Sequence, residues 1–188
     1  GSFEKINILG RNGISLAKKW EAGPRTYLGL ATSGFPNLFM ITGPGSPSVL
    51  ASMIQSIEQH VDWIADCVNH IVKTGAETIE PMTSFEDDWV EHVTEVSQVS
   101  LRSTCSSWYV GANIEGRPRV FMPYIGGFPV YVDRCNDVMT RGYEGFFVNG
   151  KKSDGKMPEI RFTKRWRVTL DKDVMSPADV AARNAPVL

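Results

Sequence analysis

Between Leu50 and Val72 the apolar residues Leu50, Met53, Ile54, Ile57, Val61, Ile64, Val68, Ile71 and Val72 recur at steps of three and four. That is the period of an α-helix with one wide apolar face, and the two-residue alternation of a strand does not produce it. The pattern predicts a helix from about Ser48 to Thr74, closed by Gly75 as its left-handed C-terminal residue. A face of this width needs other elements to cover it, yet no complete sheet for it to pack on is evident. The isolated chain is therefore expected to fold poorly, and the opening Gly1-Ser2-Phe3, followed at once by a strand-like Ile6-Asn7-Ile8-Leu9, reads as a tag scar or an excision from a longer protein.

Two glycine-bearing stretches carry most of the functional information. Gly43-Pro44-Gly45-Ser46-Pro47-Ser48 puts bare backbone ahead of the long helix, where unsatisfied N–H groups and the helix dipole favour an anionic ligand edge. Ser107-Trp108-Tyr109-Val110-Gly111-Ala112-Asn113 sets a Trp, flat and apolar with one N–H donor, beside a turn that can move. The other stretches are ordinary. Gly10 to Gly13 is a turn, and Leu16 to Trp20 a helical turn broken at Gly23-Pro24. Tyr27 to Ala31 and Leu38 to Ile41 are short buried extended segments. Ser84 caps a second helix running to about Leu101, with Trp89, Val93 and Val96 inward. A loop spans about 103–117, Arg119 to Met122 reads as a strand, Pro129 to Arg141 as a third helix closed by Gly142, and Gly145 to Val148 as a short strand. A surface loop is expected at about 150–158, and Ile160 to Leu170 alternates as a strand with a basic face of Arg161, Arg165 and Arg167.

Composition narrows the class. At 188 residues, 42% hydrophobic and 22% charged, the chain is of ordinary globular make-up, and a net charge of −1 argues against a dedicated polyanion binder. Cys67, Cys105 and Cys135 form no CxxC, which disfavours a disulfide scaffold and fits a reducing, cytoplasmic setting. No apolar run approaches the roughly 18 residues of a membrane span. Cys67 and His70 stand at i, i+3 without two further ligands, so no metal is expected. No nucleophile elbow supports Ser-His-Asp or Cys-His catalysis. Glu86-Asp87-Asp88 reads as a solvated helix start, and the i, i+4 pair Glu58 and Asp62 as an exposed edge.

Taken in order, these stretches resemble the Baeyer–Villiger monooxygenases. The matching pieces are Gly23 to Leu30, Gly34 to Phe39, Gly43 to Ser48, Ser56 to Val61, Ser107 to Asn113, Arg117 to Met122, Gly126-Gly127-Phe128 and Gly142 to Phe146. The resemblance covers roughly residues 5–148 in unbroken order. The family's two GxGxxG fingerprints and the signature between them do not occur here; Gly43-Pro44-Gly45 stops short because position 48 is Ser.

The resemblance implies an α/β fold, the C-terminal part of a flavoprotein with two dinucleotide-binding domains. Residues 1–148 would complete the FAD-binding domain with its substrate-side and NADP-contacting loops, and 149–188 would be a C-terminal extension. It implies an enzyme that uses FAD, NADPH and O2 to convert a ketone to an ester or lactone through a flavin peroxide, inactive as this piece alone. Its partners would be the missing N-terminal portion and a small ketone, with no nucleic acid and no membrane. No catalytic residue lies in this chain, because the family's catalytic Arg belongs to the earlier part. Trp108 would contact NADP, while Pro47, Ser48 and Met53 would contact FAD. Ser48, Val49, Leu50, Met53 and Met122 would line the substrate pocket. The rivals are a related flavin monooxygenase oxidising nitrogen or sulfur, and a non-enzymatic module binding nucleic acid through the basic 160–170 strand.

Overall fold

A computed structural model describes residues 3, 6–48, 51–98, 108–112, 116, 118–149 and 151–152. The described residues form helices α1 (Leu16–Lys19), α2 (Met53–Thr74), α3 (Thr83–Gln98) and α4 (Phe128–Thr140) and a small sheet of β1 (Ile79–Pro81), β2 (Phe146–Val148) and β3 (Lys151–Lys152), with α2 packed on α4. The sheet is antiparallel throughout in the order β1-β2-β3, with Ile79 opposite Val148 and Phe147 opposite Lys152. The broad mixture of helix and sheet agrees with an α/β reading. Among the described residues, however, no β–α–β crossover of a dinucleotide-binding unit is present.

Local chemistry accounts for the element ends. The Ser15 hydroxyl accepts the Lys18 N–H at 3.2 Å and starts α1. Gly75 closes α2 at φ 67°, as its position predicts. Pro129 sits in the first turn of α4, where its missing N–H costs nothing.

The start and the buried face of α2 differ from expectation. The helix begins at Met53, not Ser48, with an extended Ser52 before it. Its buried residues are Ser56, Gln59, His60, Trp63 and Cys67, whereas Met53, Ile54, Ile57, Val61, Val68 and Val72 are exposed, Ile54 by 70% and Val72 by 72%. Of the anticipated stripe, Ile64 and Ile71 alone among the described residues pack against the core. The inward face is chosen by hydrogen bonds and aromatic packing. The Trp63 indole N–H donates to the Cys135 carbonyl at 2.9 Å, and its ring meets Tyr143 edge-on at 5.3 Å.

Smaller corrections follow the same logic. Ile6 and Leu9 are exposed, and the segment makes one bridge, Leu9 to Ser15, in place of a strand. Tyr27 to Ala31 is buried, but of the expected Leu38 to Ile41 segment Met40 alone is buried, Leu38 and Phe39 are half-buried and Ile41 is exposed. Isolated bridges join the two in place of strands, with turns at Leu28-Gly29 and Asn37. The 118–122 segment carries no strand. Lys151 and Lys152, expected in a loop, pair with β2. Residues 99–107 and 153–188, including the end of the second predicted helix and the alternating 160–170 segment, lie outside the described residues.

Candidate functional site

The Gly43 to Ser48 segment is held from below by four successive carbonyls, each with a donor. The Ser46 hydroxyl donates to Gly43 O at 2.7 Å, and the Thr26 hydroxyl donates to Pro44 O at 2.5 Å. The Trp89 indole N–H donates to Gly45 O at 3.1 Å, and the Tyr124 N–H to Ser46 O at 2.9 Å. The turn is therefore rigid before any ligand arrives. Trp89 reaches it from α3 and stacks on Tyr124, with ring centres 5.4 Å apart and planes at 21°.

The same segment is tied to the later loop. Gly45 N–H donates to Met122 O at 2.7 Å, Met122 N–H donates to Tyr109 O at 2.9 Å, and Pro47 bridges Tyr124 in parallel. Tyr109 sits in the short 3-10 helix Trp108–Val110 and stacks on Phe121 at 6.4 Å. Sequence reading named Pro47, Ser48, Met122 and Trp108. The backbone joins the stretch from Gly45 to Pro47 with Met122, Tyr124 and the Trp108 turn through these bonds, and Ser48 follows Pro47 in the chain without a bond of its own among them. Pro47 is buried, and Ser48 and Met122 are half-buried. Val49 and Leu50 lie outside the described residues. Met53 is the first residue of α2 and is exposed, five positions beyond Ser48.

The Ser52 hydroxyl makes no capping bond, and α2 contains no acid in its first turn. An acceptor-rich ligand edge at that turn would be favoured by its N–H groups and the helix dipole.

Sequence reasoning missed the clamp that fixes the site from behind. His60 is fully buried in α2; its Nδ1 accepts the Thr42 N–H at 2.9 Å. Tyr131 of α4 donates its hydroxyl proton to Leu28 O at 2.7 Å, so the 2.9 Å contact to His60 Nε2 is donated by His60. Leu28 takes φ 58°, a left-handed conformation costly for a branched residue, and this bond helps hold it there. A lone His on the predicted helix carried no signal of these partners.

Burial pushes His60 from 6.5 down to about 4. The unfolded chain then binds the proton more tightly than the folded one between those values. Stability is complete above pH 6.5 and is lost as pH falls towards 4, levelling off below. The expected total is on the order of 3 kcal/mol. Denaturation midpoints measured from pH 7 to pH 4 should fall along this curve in the wild type and fall less in His60→Gln. An equally steep fall in both proteins would assign the acid sensitivity elsewhere.

Among the described residues no three His, Cys, Asp or Glu side chains converge as a metal site, and no helix is long and apolar enough to cross a membrane. Glu86 is not a solvated helix start: it is 1% exposed and accepts from Lys19 Nζ, the Thr32 hydroxyl and the Ser33 N–H.

No family model matches the chain. It is 37% identical over 147 residues to an acetone monooxygenase (methyl acetate-forming) of Gordonia sp. strain TY-5, covering 78% of this chain and 28% of the relative. It is 35% identical over 143 residues to a Baeyer-Villiger monooxygenase of Pseudooceanicola batsensis, covering 76% of this chain and 26% of the relative. Among solved structures it matches an oxidised steroid monooxygenase bound to NADP at 47% identity and a TM-score of 0.73, over 79% of this chain and 27% of that one. The chain thus spans less than a third of the length of these relatives.

Proposed function

The chain belongs to the Baeyer–Villiger monooxygenase family, and from that premise we propose that it contributes the flavin-facing and NADP-facing backbone of an enzyme oxidising a ketone to an ester or lactone. The complete protein would use FAD, NADPH and O2. The observation that carries this reading is the convergence of the Gly45 turn, Met122 and the Trp108 turn through two backbone hydrogen bonds, Gly45 N–H to Met122 O and Met122 N–H to Tyr109 O. An oxygenating flavoenzyme needs its flavin edge and its nicotinamide flap in fixed register, with water kept out between them.

The residues present fit the cofactors. The N-terminus of α2, which begins at Met53, suits the pyrimidine edge of FAD, and Pro47 and Ser48 are assigned to the same cofactor. Trp108, on its 3-10 turn, is assigned to NADP. Ser48, Val49, Leu50, Met53 and Met122 are assigned to the substrate pocket. FAD and NADPH together supply the electrons that activate O2. This chain's own part is to bind, orient and exclude water, and the catalytic Arg belongs to the portion outside it.

Residues 1–148 are read as the end of the FAD-binding domain and 149–188 as an extension. The missing N-terminal portion is the proposed cover for the exposed row Met53, Ile54, Ile57, Val61, Val68 and Val72, which water would otherwise solvate at a cost of about 25 cal/mol per Å². The direct test is the full-length protein supplied with FAD, NADPH and a panel of linear and cyclic ketones. Ester or lactone formation with matching NADPH loss is expected. Oxidation confined to amines or sulfides would overturn the reading.

A further inference from the structure

We propose that Trp89 is a positioning residue that couples the flavin-side turn to the nicotinamide-side turn, an inference that rests on the functional reading above. Trp89 lies on α3, and in that reading it touches neither cofactor nor substrate. Its indole N–H holds the Gly45 carbonyl at 3.1 Å. The N–H of the same Gly45 donates to Met122 O at 2.7 Å, and Met122 N–H donates to Tyr109 O at 2.9 Å. Gly45 is therefore pinned on both sides, and Met122 uses both backbone groups, one towards each turn. The link is mechanical: displacing Gly45 displaces Met122, and with it the turn that carries Trp108.

On the side of Gly45 the packing against Trp89 is close. Gly45 stands at φ 81°, and a Cβ there would lie 3.1 Å from Trp89 Nε1 and 3.3 Å from Thr26 Oγ1. Trp89 also stacks on Tyr124, whose N–H holds Ser46. Trp89 and Tyr124 are both buried, and the indole N–H has the Gly45 carbonyl as its acceptor. Phenylalanine at this position would keep the stack and delete the donor, leaving Gly45 O unpaired.

The test is Trp89→Phe in the full-length enzyme with FAD bound, alongside Trp108→Ala. Peroxide released per NADPH oxidised and the KM for NADPH should each rise about fivefold, the factor to which one lost hydrogen bond of about 1 kcal/mol corresponds. FAD content should stay at the wild-type level, and Trp108→Ala should show the same leakage. A lowered unfolding midpoint with unchanged leakage and KM would make Trp89 a packing residue and overturn the proposal. If Trp89→Phe loses FAD, Thr26→Val, which removes the neighbouring anchor on Pro44, carries the same expectation and the same refutation. The wild type serves as the separate control: a wild-type protein that oxidises no NADPH would sink the functional reading, not the role of Trp89 within it.

Discussion

Replacing Glu86 with alanine is expected to remove about 3–5 kcal/mol of stability, the usual cost of leaving one member of a buried pair alone. The carboxylate accepts from Lys19 Nζ at 2.8 Å, the Thr32 hydroxyl at 2.8 Å and the Ser33 N–H at 2.9 Å. Lys19 is itself mostly covered and also donates to Ser33 O at 2.6 Å. Alanine would leave the Ser33 N–H without its acceptor and the Lys19 ammonium without its counter-charge in a site where water has little access, while Lys19 keeps Ser33 O and the Thr32 hydroxyl keeps Arg25 O at 2.9 Å. Glu86→Gln keeps an acceptor for Thr32 and Ser33 and should lose less. Chemical denaturation of the full-length protein measures both, and a loss below about 1 kcal/mol for alanine would mean that solvent already serves this site.

Gly29→Ala should be comparably severe, and it should also empty the flavin site. At φ 70° an alanine takes on left-handed strain of roughly 1 kcal/mol. Its Cβ would stand 2.5 Å from Ser46 Cβ and 2.6 Å from Ser46 N, inside contact distance of backbone that has no room to retreat. Gly43 meets the same loop from the other side, since a Cβ there would lie 2.4 Å from Gly29 O. The two strands of chain pass this closely because neither residue has a side chain. Relief requires the 43–48 turn to move away from Trp89, Thr26 and Tyr124. The expected outcome is a loss above about 3 kcal/mol together with purified protein lacking bound FAD. Retention of FAD at wild-type absorbance would show that the close approach does not govern the site.

Much of the site was readable in the sequence because its parts are local. Gly43 to Ser48 announces a turn by composition alone, and Gly75, Gly142 and Pro129 mark helix ends through backbone chemistry that needs no distant partner. The clamp was not readable. Trp89 is 44 positions from Gly45, and His60 is 71 positions from Tyr131, so nothing near either residue signals its acceptor. Glu86 misled for the same reason. Acids in a first helical turn are favoured by the dipole even in water, and the lysine that buries this one lies 67 positions earlier. The helix start was misplaced because residues such as Ser48 read equally well as a cap or as extended chain.

Periodicity determined that residues 53–74 would be a helix and that Gly75 would stop it, since both follow from interactions within a few residues. Which face of that helix turns inward was decided by tertiary structure alone. The face with Ser56, Gln59, His60, Trp63 and Cys67 is inside because Thr42 N–H, Tyr131 and the Cys135 carbonyl satisfy His60 and Trp63 there. A hydrophobic pattern specifies that a face seeks cover without naming the surface that provides it, and that choice depends on partners brought from distant parts of the chain.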